Sequence, residues 1–400
     1  MTRDVADAAA QWELETRLVR GGLDRSANGE TSEALFLNSG FVYETAADAE
    51  ARFKGEQDGF VYSRYGNPTV AMFEERMRLM EGAEACFATG SGMSAVFAAL
   101  MSQLKTGDRV VASRALFGSC HHILTQILPR FGIESVLVEG TDLNQWADAL
   151  KPGAAVVFLE TPANPTLDLI DLRAVSDLAH AAGARVVVDN VFATPVLQRP
   201  MDHGVDIVVY SATKHIDGQG RVLGGAVLGS RDFVDNALMP FLRHTGPALS
   251  PFNAWVLLKG LETLTLRVER MCENAAKVAA HLSAQPGVSR VIWPGAEDFP
   301  QRELRECQMT GGGTLITLEI EGGKQGAFRF MDHLQIIDIS NNLGDSKSLV
   351  THPTTTTHRA ISAEDRARIG ISDGMLRLSV GLENPEDLKA DISQALAGGS

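Results

Sequence analysis

Short apolar runs alternate with longer amphipathic stretches between residues 83 and 229 of the chain. Helical patterns cover 92–104 and 171–182, and they lie between runs that are short enough and apolar enough to be buried strands. Strands that alternate with helices predict an α/β fold, with a mainly parallel sheet that carries helices on both faces. The predicted strands are EACFAT, RVVAS, AAVVFLE, ARVVVDN, VDIVVYS and GGAVLG.

The segments on either side of this region follow other patterns, and together they predict three parts of the chain. Residues 1–60 lack the alternation and predict an arm with a short helix, which we expect to contact a neighbouring subunit. Residues 61–253 form the predicted large domain. Residues 254–400 begin with a long helical stretch, continue with strands such as GTLITLEI and end in a helix from Pro385, which predicts a smaller α/β domain.

Charge and composition narrow the classes of function. The 400 residues include 50 acidic and 36 basic ones, a formal net charge of −14 that disfavours nucleic acids and anionic membranes as partners. The start of the sequence mixes charged and apolar residues, unlike a secretory signal, and no apolar run reaches the length of a bilayer span. We therefore expect a cytoplasmic location. The cysteines lie far apart without a metal-ligand spacing, so we also expect no metal site.

Three sets of polar residues follow predicted strands, where open parallel sheets bind their ligands. Thr89–Ser94 is a run of small residues between a strand and a helix, and its backbone N–H groups suit a phosphate. Asp189 ends a strand, where it could cap a helix or face the nitrogen of a pyridine ring and hold it protonated. Lys214 follows the next strand, with hydroxyls at Ser211 and Thr213, and could form an imine while these hydroxyls bind phosphate. The combination predicts a pyridoxal-phosphate site.

A different class of enzyme competes for the same residues. Tyr210 and Lys214 match the YxxxK pattern of short-chain dehydrogenases, and residues 90–95 imitate a dinucleotide fingerprint. Tyr210, however, closes an apolar strand rather than lying on a helix, the expected upstream serine is missing, and Asp108 precedes its strand instead of ending it. A catalytically silent binding protein on the same fold is the third alternative.

Ordered motifs from residue 15 to residue 395 resemble the Cys/Met-metabolism family of pyridoxal-phosphate enzymes, which includes cystathionine synthases and lyases and homoserine-ester sulfhydrylases. The resemblance implies the fold type I of these transferases, with Lys214 as the catalytic residue that carries the cofactor as a Schiff base and Asp189 as the partner of its ring nitrogen. The motifs are VYSRYGNPT (61–69), ATGSGMSA (88–95), ETPANPTL (160–167), VVDNVFATP (187–195), YSATKHIDGQG (210–220), NNLGDSKSLVTHPTTTTH (341–358) and RLSVGLEN (377–384).

The same resemblance assigns the remaining cofactor contacts and the assembly. It implies that Gly92 and Met93 bind the phosphate through their backbone, together with the hydroxyls of Ser211 and Thr213. Phe117 matches the residue that stacks on the cofactor ring, where many relatives have a tyrosine. Two further residues match positions that reach the phosphate of a neighbouring subunit, which implies a homotetramer, a dimer of dimers with shared sites; they are Tyr62 and Arg64.

Substrate binding follows from the resemblance in the same way. Arg377 matches the clamp for the substrate α-carboxylate, Asn164 matches a residue that assists between this carboxylate and the ring oxygen, and Asn342 also matches a substrate-binding position. Phe117 and Asn342 depart from residues common in the lyases. The segments SRALFGS and HPTTTTH are most similar in sequence to those of the O-succinylhomoserine sulfhydrylases. The resemblance therefore implies a γ-replacement that converts O-succinylhomoserine and sulfide to homocysteine and succinate in methionine biosynthesis. Cystathionine γ-synthase and O-acetylhomoserine sulfhydrylase remain alternatives, and three arginines are candidates for the distal succinyl carboxylate: Arg114, Arg221 and Arg243.

Overall fold

The computed structural model describes residues 9–398, and within them it contains two β-sheets with helices packed on them. The larger sheet has seven strands in the order β1-β7-β6-β5-β4-β2-β3. The β2–β3, β2–β4 and β4–β5 pairs are parallel, whereas β1 and β7 are antiparallel. The strands are β1 (Ala85–Thr89), β2 (Arg109–Ser113), β3 (Glu134–Val138), β4 (Val156–Glu160), β5 (Arg185–Asp189), β6 (Ile207–Ser211) and β7 (Gly225–Gly229).

This sheet confirms the predicted α/β class and every strand that the apolar runs predicted. The sequence analysis missed β3, because its segment ESVLV begins with polar residues and is only partly buried. The central strands β4 and β5 are almost completely buried, which explains their continuous apolar sequences.

The smaller sheet has five strands in the order β10-β11-β12-β9-β8. Its apolar core includes Leu318 and Leu376 from the sheet and Val278, Phe330 and Ile392 from the helices that cover it. The strand β12 lies between β11 and β9 and is antiparallel to both. The strands are β8 (Val288–Ile292), β9 (Leu315–Ile320), β10 (Asp338–Ile339), β11 (Leu349–Thr351) and β12 (Met375–Ser379).

The helices that precede the smaller sheet are α1 (Leu14–Arg20), α2 (Ala46–Lys54), α3 (Pro68–Glu81), α4 (Gly92–Met101), α5 (Gly118–His122), α6 (Leu143–Leu150), α7 (Leu172–Ala181), α8 (Thr194–Leu197), α9 (Arg231–Phe233), α10 (Met239–Thr245) and α11 (Pro251–Leu261). Those that follow are α12 (Leu264–Ser283), α13 (Arg302–Gln308), α14 (Gly323–His333), α15 (Ala363–Arg368) and α16 (Pro385–Gly398). Short 3-10 or π segments cover 123–131, 200–203, 234–238 and 353–355.

Two helical expectations need correction. The described part of the arm, residues 9–60, contains two helices rather than one, because Thr45 and Asp48 form a capping box that starts α2. The long helix predicted after Asn253 is broken into α11 and α12. Residues 1–8 of the predicted arm lie outside the described residues.

Two compact units emerge from the contacts, and they do not follow chain order. The first comprises the chain up to Gln103 together with 209–217 and 221–263, and the second comprises 104–208, 218–220 and 264–400. The predicted domain limits after residues 60 and 253 therefore stay predictions. Within residues 9–398, no helix is both long enough and apolar enough to cross a bilayer.

Candidate active site

The first unit carries a phosphate-sized cradle at the N-terminus of α4. Ser91 caps this helix by accepting the N–H of Ser94 at 3.2 Å, so the N–H groups of the first turn, including those of Gly92 and Met93, have no partner within the helix. A Cβ atom added at Gly92 would lie 2.5 Å from the Cβ of Ser211. Only glycine therefore lets the helix end approach the Ser211 hydroxyl, and N–H groups beside a hydroxyl suit an anion.

Lys214 lies in the turn that follows β6, and its backbone N–H donates to the Ser211 carbonyl at 3.3 Å. The Thr213 hydroxyl accepts the N–H of Gly224 at 3.2 Å and lies 3.3 Å from the Gly224 carbonyl, so it already has backbone partners. A Cβ at Gly260 of α11 would lie 2.2 Å from the Ile216 carbonyl. The missing side chain at Gly260 thus lets α11 pack directly against the segment that carries the lysine.

Tyr210 has a structural partner that the dehydrogenase alternative does not predict. Its hydroxyl donates to Glu81 Oε2 at 2.6 Å, and both residues are buried. A hydroxyl held in this way is a poor proton donor for a reacting substrate, because breaking this hydrogen bond would deprive the buried Glu81 carboxylate of the Tyr210 donor.

Tyr62 and Arg64 lie in the loop that precedes α3, also in the first unit. The guanidinium carbon of Arg64 lies 5.4 Å from the ring centroid of Tyr62 and 4.7 Å from that of Tyr65. Arg64 Nη1 also donates to the carbonyl of Arg243. The cation is therefore oriented by aromatic rings and one backbone carbonyl.

The second unit brings two carboxylates side by side at the ends of parallel strands. Glu160 ends β4 and Asp189 ends β5, and the two residues are register partners. Glu160 Oε2 accepts the N–H of Phe117 at 2.8 Å, and Asp189 Oδ1 accepts the N–H of Val191 at 3.1 Å. Burial, followed by the neighbouring Asp189 charge, raises the pKa of Glu160 well above its usual range.

Arg377 lies on β12 and is only 2% exposed. Its Nη1 donates to Asn164 Oδ1 at 3.1 Å, and its Nη2 donates to the carbonyls of Asn341 at 2.9 Å and Asn342 at 3.2 Å. Its Nε is buried and has no hydrogen-bond partner. Burial lowers the pKa of Arg377 to about 10, which still leaves it protonated at neutral pH.

Among residues 9–398, no carboxylate lies within ion-pair distance of the Arg377 guanidinium. A buried cation without an anion is costly, so this arrangement favours a ligand that brings a carboxylate to it. Asn164 contacts Arg377 through its side chain and Asn342 does so through its backbone carbonyl, while their predicted role in substrate binding stays a prediction.

Sequence reasoning missed two residues of this cluster. Glu160 closes a buried strand as Asp189 does, so the rule that selected Asp189 could have found it. His358 lies in the HPTTTTH motif, and its Nε2 donates to the Asn164 carbonyl at 3.1 Å. Burial lowers the pKa of His358 to about 4, so the ring is neutral and supports Asn164 as a hydrogen-bond donor.

Described separately, the two units contain donor types that pyridoxal phosphate needs. The first unit contains Lys214 and an anion cradle that a Cβ at Gly92 would fill, and the second contains buried carboxylates at the strand ends and a buried arginine. These donor types fit a phosphate, an aldehyde that forms an imine and a protonated pyridine nitrogen. No cluster of three or more metal-ligating side chains occurs in the part of the chain that the structure describes.

Comparison with known proteins gives concordant matches. The family model described as "Cys/Met metabolism PLP-dependent enzyme" matches residues 15–397. A protein of Mycobacterium tuberculosis named O-succinylhomoserine sulfhydrylase is 57% identical over 383 residues, covering 95% of this chain and 94% of the relative. A protein of the same name from Pseudomonas aeruginosa is 48% identical, covering 96% and 95%.

Solved structures give the same result for the fold. A putative O-acetylhomoserine (thiol)-lyase from Campylobacter jejuni, which carries N'-pyridoxyl-lysine-5'-monophosphate, overlays with a TM-score of 0.92 at 31% identity. The overlay covers 96% of this chain and all (100%) of that one. Fold type I is thus the fold of this chain.

Proposed function

Since the chain belongs to the family of Cys/Met metabolism PLP-dependent enzymes, we propose that it catalyses a γ-replacement on O-succinylhomoserine. In this reaction the Cγ–O bond of the ester breaks, sulfide forms the new Cγ–S bond, and homocysteine and succinate are released. The observation that carries the proposal is the near-full-length identity of 57% and 48% to the two relatives named O-succinylhomoserine sulfhydrylase.

We propose the cofactor contacts from the resemblance of the chain's motifs to those of the family. Lys214 is the residue that binds pyridoxal phosphate covalently, and Asp189 holds its ring nitrogen protonated. The N–H groups of Gly92 and Met93 bind the phosphate, with the hydroxyls of the two residues that precede Lys214 in its motif, Ser211 and Thr213. Bound in this way, the cofactor supplies a sink for the electrons that remain when the substrate loses protons.

Arg377 binds the α-carboxylate of the substrate. Its hydrogen bonds to Asn164 and to two carbonyls fix the guanidinium plane, and its unpartnered Nε is available for the ligand. His358 helps to position Asn164, because its hydrogen bond to the Asn164 carbonyl holds the backbone of this asparagine in place. Asn342 belongs to the same binding surface.

Proton transfer would be the task of the Lys214 amine whenever it is not bound to the cofactor. The amine removes the proton from Cα and assists proton movement at Cβ, which prepares the departure of succinate. Phe117 would stack on the cofactor ring, and it has no hydroxyl with which to transfer protons. Lys214 therefore performs the proton transfers that a tyrosine at this position could assist.

The functional assembly is a homotetramer, a dimer of dimers in which Tyr62 and Arg64 reach the site of a neighbouring subunit. Large apolar side chains between residues 35 and 62 support a contact with a second copy, since Val42 is 93%, Leu37 68% and Phe53 65% exposed in the single chain. Light scattering on the purified protein measures the assembly, and a monomer would contradict it. The cytoplasmic location stays a prediction from the sequence.

A product assay tests the reaction. O-succinylhomoserine and O-acetylhomoserine are each offered with sulfide and with cysteine, and homocysteine, cystathionine and succinate are quantified. The proposal predicts homocysteine and succinate in equal amounts from the succinyl ester and sulfide. Cystathionine as the main product would indicate a cystathionine γ-synthase, and a preference for the acetyl ester would indicate an O-acetylhomoserine sulfhydrylase.

A further inference from the structure

A succinyl ester carries a second carboxylate far from the α-carbon, and its recognition needs a cation that no internal anion neutralises. Two of the three arginine candidates do not meet this requirement. Arg114 donates through Nε to Glu139 at 2.8 Å, and Arg221 donates through Nε to Asp217 at 2.9 Å. Each guanidinium already has a carboxylate partner in the protein.

Arg243 differs from both. It lies on α10 and is half-buried, and no carboxylate of residues 9–398 lies within ion-pair distance of it. Its Nε is buried and has no hydrogen-bond partner. A shielded guanidinium of this kind gains most from an incoming anion, because its charge is already partly removed from water.

A second arginine shares the surroundings of Arg243. This second arginine is Arg64. The guanidinium carbon of Arg243 lies 5.3 Å from the ring centroid of Tyr65, and that of Arg64 lies 4.7 Å from the same centroid. Arg64 also donates to the carbonyl of Arg243. Two guanidinium groups around one ring, neither with an acidic partner in the described chain, form a positive cluster in a protein whose net charge is −14.

The cluster is tied to the phosphate cradle within the first unit. The helix of Arg243 ends at Gly246, whose positive φ of 89° turns the chain. The next residue, Pro247, accepts the N–H of Gly90 at 2.8 Å. The segment that follows Arg243 is thus bonded directly to the small-residue loop that leads into α4.

From this arrangement we propose that Arg243 binds the distal carboxylate of the acyl group and makes the enzyme select succinyl over acetyl esters of homoserine. The inference rests on the proposed function. Arg64 is taken by the cofactor phosphate under that proposal, so Arg243 is the cation of the cluster that is left for a second anion. In the proposed assembly Arg64 reaches the site of a neighbouring subunit, so Arg243, which shares the ring of Tyr65 with Arg64, serves the same shared site.

The test compares Arg243→Gln with the wild-type holoenzyme on both esters with sulfide. We expect KM for O-succinylhomoserine to rise roughly tenfold or more, as for the loss of a hydrogen bond to a charged group, without a comparable change for O-acetylhomoserine. Arg243→Lys should recover part of the selectivity. Arg130→Gln, at an exposed arginine of the 128–131 helix, is the matched control for the loss of one positive charge.

Inhibition gives a second readout that does not depend on turnover of the succinyl ester. Succinate should inhibit wild-type turnover of the acetyl ester more strongly than acetate does, and Arg243→Gln should abolish this difference. Equal effects of Arg243→Gln on both esters, or selective loss in Arg114→Gln instead, would overturn the inference and leave the proposed function intact. Failure of the wild-type enzyme to use the succinyl ester would overturn both.

Discussion

Removal of the Arg377 guanidinium should separate substrate binding from cofactor binding more clearly than any other single change. Arg377→Ala deletes a buried cation and leaves the oxygens of Asn164, Asn341 and Asn342 without their donor. Breaking a buried charge pair costs about 3–5 kcal/mol, so KM for the amino-acid ester should rise by roughly two to four orders of magnitude. The cofactor should still bind, since its proposed contacts lie elsewhere.

Arg377→Lys tests whether the geometry of the guanidinium matters in addition to its charge. Lysine keeps the positive charge but cannot donate to Asn164 and two carbonyls while it also binds a carboxylate through two parallel bonds. We expect an intermediate rise in KM, and an intact melting transition should show that the variant is folded.

Steady-state kinetics with the ester and sulfide give KM and kcat, and absorbance of the bound cofactor gives occupancy. Arg270→Ala is the matched control, because Arg270 is exposed on α12, where its guanidinium lies 3.6 Å from the exposed Glu273. A folded, cofactor-loaded Arg377→Ala enzyme with the KM of the wild type would refute the assignment of Arg377 as the carboxylate clamp.

Three further changes have defined outcomes. Lys214→Ala should abolish turnover and the yellow absorbance that borohydride bleaches in the wild type, and retention of both would contradict the assignment of Lys214. Burial raises the pKa of Glu74 to about 7. Above the ordinary glutamate pKa the unfolded state therefore binds fewer protons than the folded state. The free energy of unfolding should fall as pH rises towards 7, by up to about 3 kcal/mol. Urea titrations at about pH 5 and pH 8 should show a smaller fall in Glu74→Gln than in the wild type, since other buried carboxyls such as Glu160 also contribute; an equal fall in both would disprove the role of Glu74. Burial lowers the pKa of His358 to about 4, so the free energy of unfolding should fall as pH drops from the ordinary histidine pKa towards 4. His358→Gln should remove this part of the acid dependence of the melting temperature, measured in thermal melts.

The parts of the fold that could be predicted are those with a local signal. The buried strands β4 and β5 have continuous apolar sequences, and the polar residue that ends β5 is Asp189. Lys214 follows β6 in the same way. In contrast, β3 begins with Glu134 and has only one buried residue, so its apolar signal is weak. The capping box at Thr45 is also a local signal, and its recognition would have predicted α2.

Contacts between residues that are far apart in sequence could not be predicted from patterns. Arg64 and Arg243 are 179 residues apart, and Arg114 and Glu139 are 25 apart. Three arginines therefore remained equal candidates until the structure showed which of them have carboxylate partners. Arg221 is the exception, because Asp217 lies four residues before it and an ion pair at that spacing is common.

The charge state of Glu160 explains why Arg377 can be left for a ligand. Glu160 is the acidic residue whose charge acts on Arg377, and an ionised Glu160 would partly neutralise the guanidinium. Burial and the neighbouring Asp189 charge raise the pKa of Glu160 instead, so its proton is retained more strongly than that of an exposed carboxyl. The register of two parallel strands thus has two effects: it places Asp189 at a strand end where a carboxylate can serve a pyridine nitrogen, and through the Asp189 charge it raises the pKa of Glu160. A substrate carboxylate can then supply the anion that the buried guanidinium lacks.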